Sequence, residues 1–327
     1  MSHPALKSLY VALSLLAGAA SAADPVTIAY QTGIDPSKVA QADGAYEAAT
    51  GSKINWRKFE SGAEVIAAVA SGDVPIGNIG SSPLAAAASR GLPIQTFLVT
   101  AEIGDSEALV VRNGSNITAP KDLIGKKVAV PFVSTTHYSL LAALKHWGVD
   151  ASKVNIVNLR PSEIAAAWQR GDIDAAYVWE PALGTAKASG KVLVSSAQVG
   201  KWGAPTYDLW IVRKDFAEKH PEFLTQFVKV TGAAYAKYNA DPKGYAANSA
   251  NVDKIARLTG AKPQDVALLL AGNTYPSLKR QAELLDKPFA EAVGKTAEFL
   301  RAQGKVEQVQ SSYLPYVTSR FVNAALK

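Results

Sequence analysis

The sequence predicts an α/β fold of two lobes joined by two crossing strands, and three observations carry that expectation. Short runs rich in Val and Ile alternate with longer helical patterns from residue 26 to 213, as in sheets built from strand-helix-strand units. Subtracting an expected leader of 22 residues from 327 leaves 305, more than the ~100 to 200 usual for one domain, so a cleft between lobes is expected. Two polar stretches, NGSNITAP at 113–120 and GKWGAP at 200–205, adjoin strands at points where the chain could leave one lobe and return to it.

Residues 1–22 read as a secretory signal. His3 and Lys7 give a weakly basic start, Leu9 to Ala17 an apolar run, and Ala20-Ser21-Ala22 a small-residue cleavage site. The chain is therefore expected outside the cytoplasm, cut after Ala22. Neither this run nor any later one reaches the ~20 continuous apolar residues of a membrane helix, so no direct membrane insertion is expected. The sequence has no cysteine, which excludes a lipoprotein anchor, disulfides, thiol catalysis and thiolate metal sites. Loss of Lys7 lowers the formal charge from +6 to +5, with no run of four basic residues. That balance suits a small acidic ligand better than nucleic acid.

Strands are expected at 26–30, 54–59, 76–79, 96–101, 108–112, 127–132, 154–159, 175–179, 192–195 and 209–213. Helices are expected between them at 37–50, 62–70, 83–89, 137–147, 161–169 and 181–188, and this alternation implies parallel sheets. After Asp215 only helices follow, punctuated by Pro221, Pro242, Gly260, Pro263, Pro288 and Gly304. The resulting division is lobe one at 23–112 and 207–327 and lobe two at 113–206.

Three strand-to-helix junctions are short and polar: Ser61-Gly62, Gly80-Ser81-Ser82-Pro83 and Ser134-Thr135-Thr136-His137. At such junctions backbone N–H groups lack helical partners and the helix dipole adds about half a positive charge, so an anion can be held without Lys or Arg. Ser61-Gly62-Ala63-Glu64 is also a capping box, in which Glu64 would reach back to the Ser61 N–H, and most such boxes only cap. Ser82-Pro83 reads as N-cap and first helical residue, which would leave Ser81 facing outward. Thr135 and Thr136 follow a strand's carboxyl end, where open α/β sheets bind ligands.

For the opposite charge, Glu107 and Asp208 head the strands beside the expected crossings, although each is also a reasonable solvated turn acid. Tyr138, Tyr177, Trp179 and Trp210 lie near strand or helix ends, where a ring can cover a cation; the alternative is core packing. Trp56 and Trp168 read as core. Enzyme signatures are absent: no nucleophile elbow, phosphate loop or dinucleotide fingerprint occurs, and His3, His137, His146 and His220 are too scattered for a metal site. A catalytic role for His137 beside Ser134 and Thr135 is disfavoured, because polar residues are common at helix starts. Neither a cofactor nor a metal is expected.

Several segments together resemble the periplasmic substrate-binding proteins of the sulfonate, nitrate and taurine type that serve ABC importers. They include INWRKFESGAEVIAAVASGDVPIGNIGSSPLA at 54–85, VAVPFVSTTHYSLLAALKHWG at 128–148, IAAAWQRGDIDAAYVW at 164–179, GKWGAPTYDLWIVRKDFAEKHPE at 200–222 and GNTY at 272–275. The resemblance spans almost the whole chain after the leader. It implies a type II periplasmic binding fold, a monomer closing on taurine or a related small sulfonate such as isethionate, and delivery to a membrane permease with its ATPase. By that similarity Ser61, Gly62, Ser81, Ser82, Thr135 and Thr136 would hold the sulfonate, Glu107 and Asp208 the ammonium, and Gln31, Tyr138 and Trp179 would line the pocket. Glu180 departs from the family pattern, which can carry a small residue there in the VWxPA segment.

Overall fold

The computed structural model describes residues 25–327; the expected leader lies outside them. The chain runs β1 (Val26–Tyr30), α1 (Ser37–Ala42), α2 (Ala45–Thr50), β2 (Ile54–Lys58), α3 (Gly62–Ala70), β3 (Ile76–Gly80), α4 (Ser81–Ser89), β4 (Ile94–Ile103) and β5 (Ala108–Arg112). It continues β6 (Lys127–Val130), α5 (Thr135–His146), β7 (Asn155–Asn158), α6 (Pro161–Arg170), β8 (Ala175–Val178), α7 (Ala182–Lys187), β9 (Gly190–Ser195), α8 (Ser196–Lys201) and β10 (Tyr207–Arg213). Helices then follow: α9 (Lys214–Lys219), α10 (Pro221–Ala240), α11 (Pro242–Ala247), α12 (Ser249–Thr259) and α13 (Val266–Ala271). After the short β11 (Asn273–Thr274) come α14 (Leu278–Leu284), α15 (Lys287–Ala302) and α16 (Arg320–Ala325).

Two sheets form, one per lobe, in the orders β11-β4-β10-β3-β1-β2 and β7-β6-β8-β5-β9. Both are mixed rather than parallel. β1 runs parallel to β2 and β3, while β10 lies antiparallel between β3 and β4. In the second sheet β6 runs parallel to β7 and β8, while β5 lies antiparallel between β8 and β9. β5 and β10, the strands that follow the two inter-lobe crossings, each run antiparallel to both neighbours, and the short β11 runs antiparallel to β4.

That arrangement corrects one expected boundary. β5 belongs to the second lobe, so the first crossing is the polar turn 104–107, not 113–120. Pairing on both edges buries Ala108–Val111, whereas 113–120 stays within the second lobe, where the Ser115 hydroxyl donates to Arg112 O at 2.8 Å. The return lies between α8 and β10. The helix expected at 37–50 is two helices, because Gly44 adopts a left-handed φ of 68° that only glycine takes at low cost.

The apolar alternation read from the sequence becomes core. Ile28, Val65, Ile76, Leu84, Phe97, Leu209, Trp210 and Phe227 fill the first lobe. The second lobe buries Leu109, Val128, Leu140 and Tyr177 on one face of its sheet and Ile164, Trp168 and Leu183 on the other. Among the described residues no helix is long and apolar enough to cross a membrane.

The lobes touch at several points. Thr32 Oγ1 donates to Glu180 O at 2.8 Å, Ser162 Oγ donates to Glu60 Oε2 at 2.6 Å, and Arg160 sits 3.9 Å from Glu64. Tyr138 of α5 packs edge-on against Phe299 of α15 at 5.0 Å.

Candidate functional site

The parallel strands β1, β3, β6 and β8 end at the cleft, where open α/β sheets leave their loops free to meet a ligand. A cavity there is lined by Gln31, Gly62, Gly80, Glu107, Thr135, Trp179, Glu180 and Asp208, among others. Its volume is about 40 Å³, room for about three waters or a small ligand in their place.

One wall is three helix N-termini. α3 starts at Gly62 with Ser61 as N-cap, whose hydroxyl accepts from Glu64 N at 3.3 Å. α5 starts at Thr135 with Ser134 as N-cap, whose hydroxyl accepts from His137 N at 3.1 Å. α4 starts at Ser81 with Gly80 as N-cap and has no side-chain cap. First-turn N–H groups not taken by a cap have no intrahelical acceptor, and the three dipoles converge on the same space. Gly80 makes the convergence possible. A Cβ at that position would lie 2.5 Å from Thr135 Cγ2 on the opposite lobe.

The other wall is acidic. Glu107, buried at the first crossing, accepts from Thr135 Oγ1 at 2.5 Å and from Ser196 Oγ at 3.2 Å. Asp208, half-buried at the head of β10, pairs in register with Gly80. Its carboxylate accepts no hydrogen bond from any described residue. Burial, and secondarily Asp208, pushes the Glu107 carboxyl up to about 8, against which the Thr135 and Ser196 hydroxyls act. Burial and Asp35 push Asp208 up to about 7, while Lys38 acts in the opposite direction. Lys38 is 2 % exposed and lies 3.8 Å from Asp35. No Lys or Arg lines the cavity among the described residues. Two carboxylates facing one small space without a cation form an acceptor for a positive group.

Of the expected site residues, the structure brings Gln31, Gly62, Glu107, Thr135, Trp179 and Asp208 to the cavity. Gln31 Nε2 donates to Asn78 O at 2.9 Å, which fixes the side chain. The others sit elsewhere. Ser61 is occupied as a cap, and Glu64 accepts from Glu60 N at 3.0 Å rather than from Ser61 N as the capping box predicts. Ser82 is not the N-cap: α4 begins one residue earlier, Pro83 occupies its third position, and the Ser82 hydroxyl is sealed in without a partner. A proline there costs no helical bond, because first-turn N–H groups have none to lose. The Ser81 hydroxyl accepts from Tyr207 N at 3.2 Å and, with Tyr138, lines a separate pocket beside α15. The Thr136 hydroxyl pairs with Ser134 Oγ at 2.7 Å.

The two further aromatic candidates are core. Trp210 is buried beside Trp56 and Phe227, and Tyr177 is buried with its hydroxyl 3.0 Å from Ser196 Oγ. His137 accepts from Val133 N at 3.0 Å through Nδ1 and stacks on Phe132; burial and Lys305 push it down to about 4, so it is neutral at pH 7. Among the described residues no group of His, Cys, Asp and Glu could hold a metal ion. Sequence reasoning missed Ser106, Asn273 and Leu269 at the cavity and Lys38 behind it. Asn273 carried a signal, since it lies in the GNTY segment; it accepts from Ser106 Oγ at 2.6 Å.

A model of the family described as NMT1/THI5 like matches residues 31–245. The chain belongs to the NMT1/THI5-like family. Within reach of that family, it is 53 % identical over 322 residues to the taurine-binding periplasmic protein of Escherichia coli strain K12, covering 98 % of this chain and 100 % of that protein. Its fold is that of the periplasmic aliphatic sulphonate binding protein SsuA from Escherichia coli, at a TM-score of 0.72 and 22 % identity over 90 % of this chain and 92 % of the other. The fold is also shared by the desulfurization enzyme DSZB, at a TM-score of 0.61 and 15 % identity over 92 % and 99 % of the two chains. Both likenesses are of fold alone. A type II periplasmic binding fold, α/β with one mixed sheet per lobe, is therefore the architecture of this family member.

Proposed function

We propose that this chain is the periplasmic substrate-binding component of an ABC importer, that it holds taurine between its lobes, and that it delivers taurine to a membrane permease and its ATPase. One observation carries the reading: the buried Glu107 and the half-buried Asp208 share a cavity of about 40 Å³ with three helix N-termini. Taurine is a small zwitterion. Its sulfonate oxygens only accept hydrogen bonds, which suits the amides at Gly62, Ser81 and Thr135, and its ammonium only donates, which suits two carboxylates. Charge-assisted bonds contribute ~1.5 to 3 kcal/mol each, so a few of them reach the ~8 kcal/mol of micromolar binding.

The acids also supply selectivity. A sulfonate lacking an amine would leave Glu107 and Asp208 facing each other with no cation between them, which disfavours isethionate and plain alkanesulfonates. Asp208 belongs to the first lobe, and Glu107 and Thr135 to the second. A ligand held from both sides favours the joined lobes, the shape expected to dock on the permease. The chain acts as a monomer after cleavage behind Ala22, and it binds its ligand rather than turning it over.

Calorimetric titration of purified chain with taurine, isethionate and ethanesulfonate tests the reading. Taurine is expected to bind at micromolar concentration and at least tenfold more tightly than the other two. Equal binding of all three would replace taurine by a general sulfonate ligand, and turnover of a sulfonate ester would replace binding by catalysis.

A further inference from the structure

We propose that Lys38 is a positioning residue for the ammonium end of the site, a buried cation one layer behind the cavity that keeps the Asp208 carboxylate charged and in place for the ligand. This role rests on the reading of Glu107 and Asp208 as the acceptors of an amine. Three placements bring Lys38 to that wall. Its ammonium lies 4.9 Å from the centre of the Tyr30 ring, and the next residue in the chain, Gln31, lines the cavity. It lies 3.8 Å from Asp35 Oδ2, and both side chains are buried. Asp208 meets the same β1–α1 loop, since a Cβ on Gly33 would sit 3.4 Å from Asp208 Oδ2.

Asp35 alone pairs Lys38 only loosely. Asp35 Oδ1 accepts from Ser37 N at 2.8 Å and from the Ser37 hydroxyl, and the 3.8 Å separation at Oδ2 is longer than a hydrogen bond. An ammonium carries three donors, and burying it is costly unless further negative charge faces it. Asp208 supplies that charge. Burial lowers Lys38, and Asp35 and Asp208 both oppose the change. In return Lys38 draws the Asp208 carboxyl down, against burial and the like charge of Asp35.

The remaining neighbours do not replace Lys38 in this balance. Tyr46 of α2, Tyr235 of α10, Tyr245 of α11 and Tyr275 feel the charge of Asp35, and burial pushes all four phenols above their ordinary range, so they stay neutral. Asp43, just past α1, pairs with Lys254 of α12 at 2.7 Å, and Glu47 of α2 accepts from Trp56 Nε1 at 2.8 Å. On the cavity side Glu180 is turned to Gly184 N at 3.1 Å, while Glu107 feels Asp208 as a like charge. No Lys or Arg lines the cavity among the described residues, so Lys38 compensates Asp208 from behind and leaves the space in front to the ligand ammonium. Without Lys38, Asp208 faces Asp35 and Glu107 unaided and takes up a proton at higher pH.

The test measures taurine binding by calorimetry from pH 5 to 9 in two comparisons: wild type against Lys38→Met, and Asp35→Asn against Asp35→Asn/Lys38→Met. An asparagine keeps the Oδ1 acceptor for Ser37, so the second comparison removes the cation without leaving a bare Asp35 carboxylate. In both, loss of Lys38 is expected to move the decline in affinity about one unit up in pH. With Asp208 at about 7 in wild type, Lys38→Met then binds taurine about fivefold more weakly at pH 7 and no more weakly at pH 9. A loss equal at pH 7 and 9, or no shift in the second comparison, reduces Lys38 to a packing residue and overturns the inference. A wild-type protein with no preference for taurine over ethanesulfonate overturns the aminosulfonate reading itself, an outcome visible before any variant is measured.

Discussion

Replacing Asp208 by Asn keeps the shape of the side chain and removes one of the two charges that would face the ammonium. Two effects oppose each other. The variant loses a charge-assisted contact of ~1.5 to 3 kcal/mol. It also relieves Glu107 of a like charge that contributes to raising its carboxyl to about 8, so Glu107 ionises more readily and recovers part of the loss. The net cost for taurine at pH 8 is about 2 kcal/mol, a factor of about 30 in Kd. Ethanesulfonate gains instead of losing, because the variant carries one fewer carboxylate against a pure anion. Paired titrations of the two ligands into wild type and Asp208→Asn read this directly. Parallel losses for both would mean that Asp208 does not meet the amine, and the reasoning from paired acids would be wrong.

The same geometry makes four further predictions. Gly80→Ala places a Cβ against Thr135 Cγ2 and should hold the lobes apart, costing all sulfonates at least about tenfold; adding Thr135→Ser, which removes that methyl, should restore binding, and failure of the rescue would dissociate Gly80 from closure. Ser81→Ala should cost about 1 kcal/mol of stability through the lost Tyr207 contact and change taurine affinity less than about threefold; a larger affinity loss would put the hydroxyl in the site. For pH, Glu107 at about 8 and Asp208 at about 7 are both raised in the free protein. An ammonium lowers them, so binding releases protons: affinity is full above pH 8 and declines as pH falls through 8 and then 7, whereas a flat Kd from pH 6 to 9 would refute the pairing. The same raised values make the free protein less stable as pH rises from the ordinary carboxylate range toward 8, because the native state then holds protons the unfolded chain has released; thermal melts without ligand check the sign.

Much of this was legible in the sequence for a local reason. Short polar residues at helix starts and Val/Ile runs in strands declare themselves within a few positions, so the junctions at Gly62, Gly80 and Thr135 and ten of the strands were readable. What failed was nonlocal or angular. The sheet that receives β5 depends on pairing with β8 and β9, more than 60 residues away in the case of β8, and nothing within Ala108–Arg112 encodes it. Starting α4 at Ser81 instead of after Ser82 shifts the helix by a residue or two, about 100° of rotation each, which turns the Ser81 hydroxyl from the cleft toward Tyr207. Tyr138 is carried off the cavity by the same helical geometry, one turn into α5. Nothing local marks Lys38 for burial, yet α1 packs against α10 and α12 and buries it beside Asp35.

The most direct measurement is a crystal structure of the chain with taurine bound. The ligand nitrogen should lie between Glu107 and Asp208, with the sulfonate oxygens on the first-turn amides at Gly62, Ser81 and Thr135. A reversed ligand, or one bound away from both carboxylates, would contradict the zwitterion clamp on which the proposed function stands.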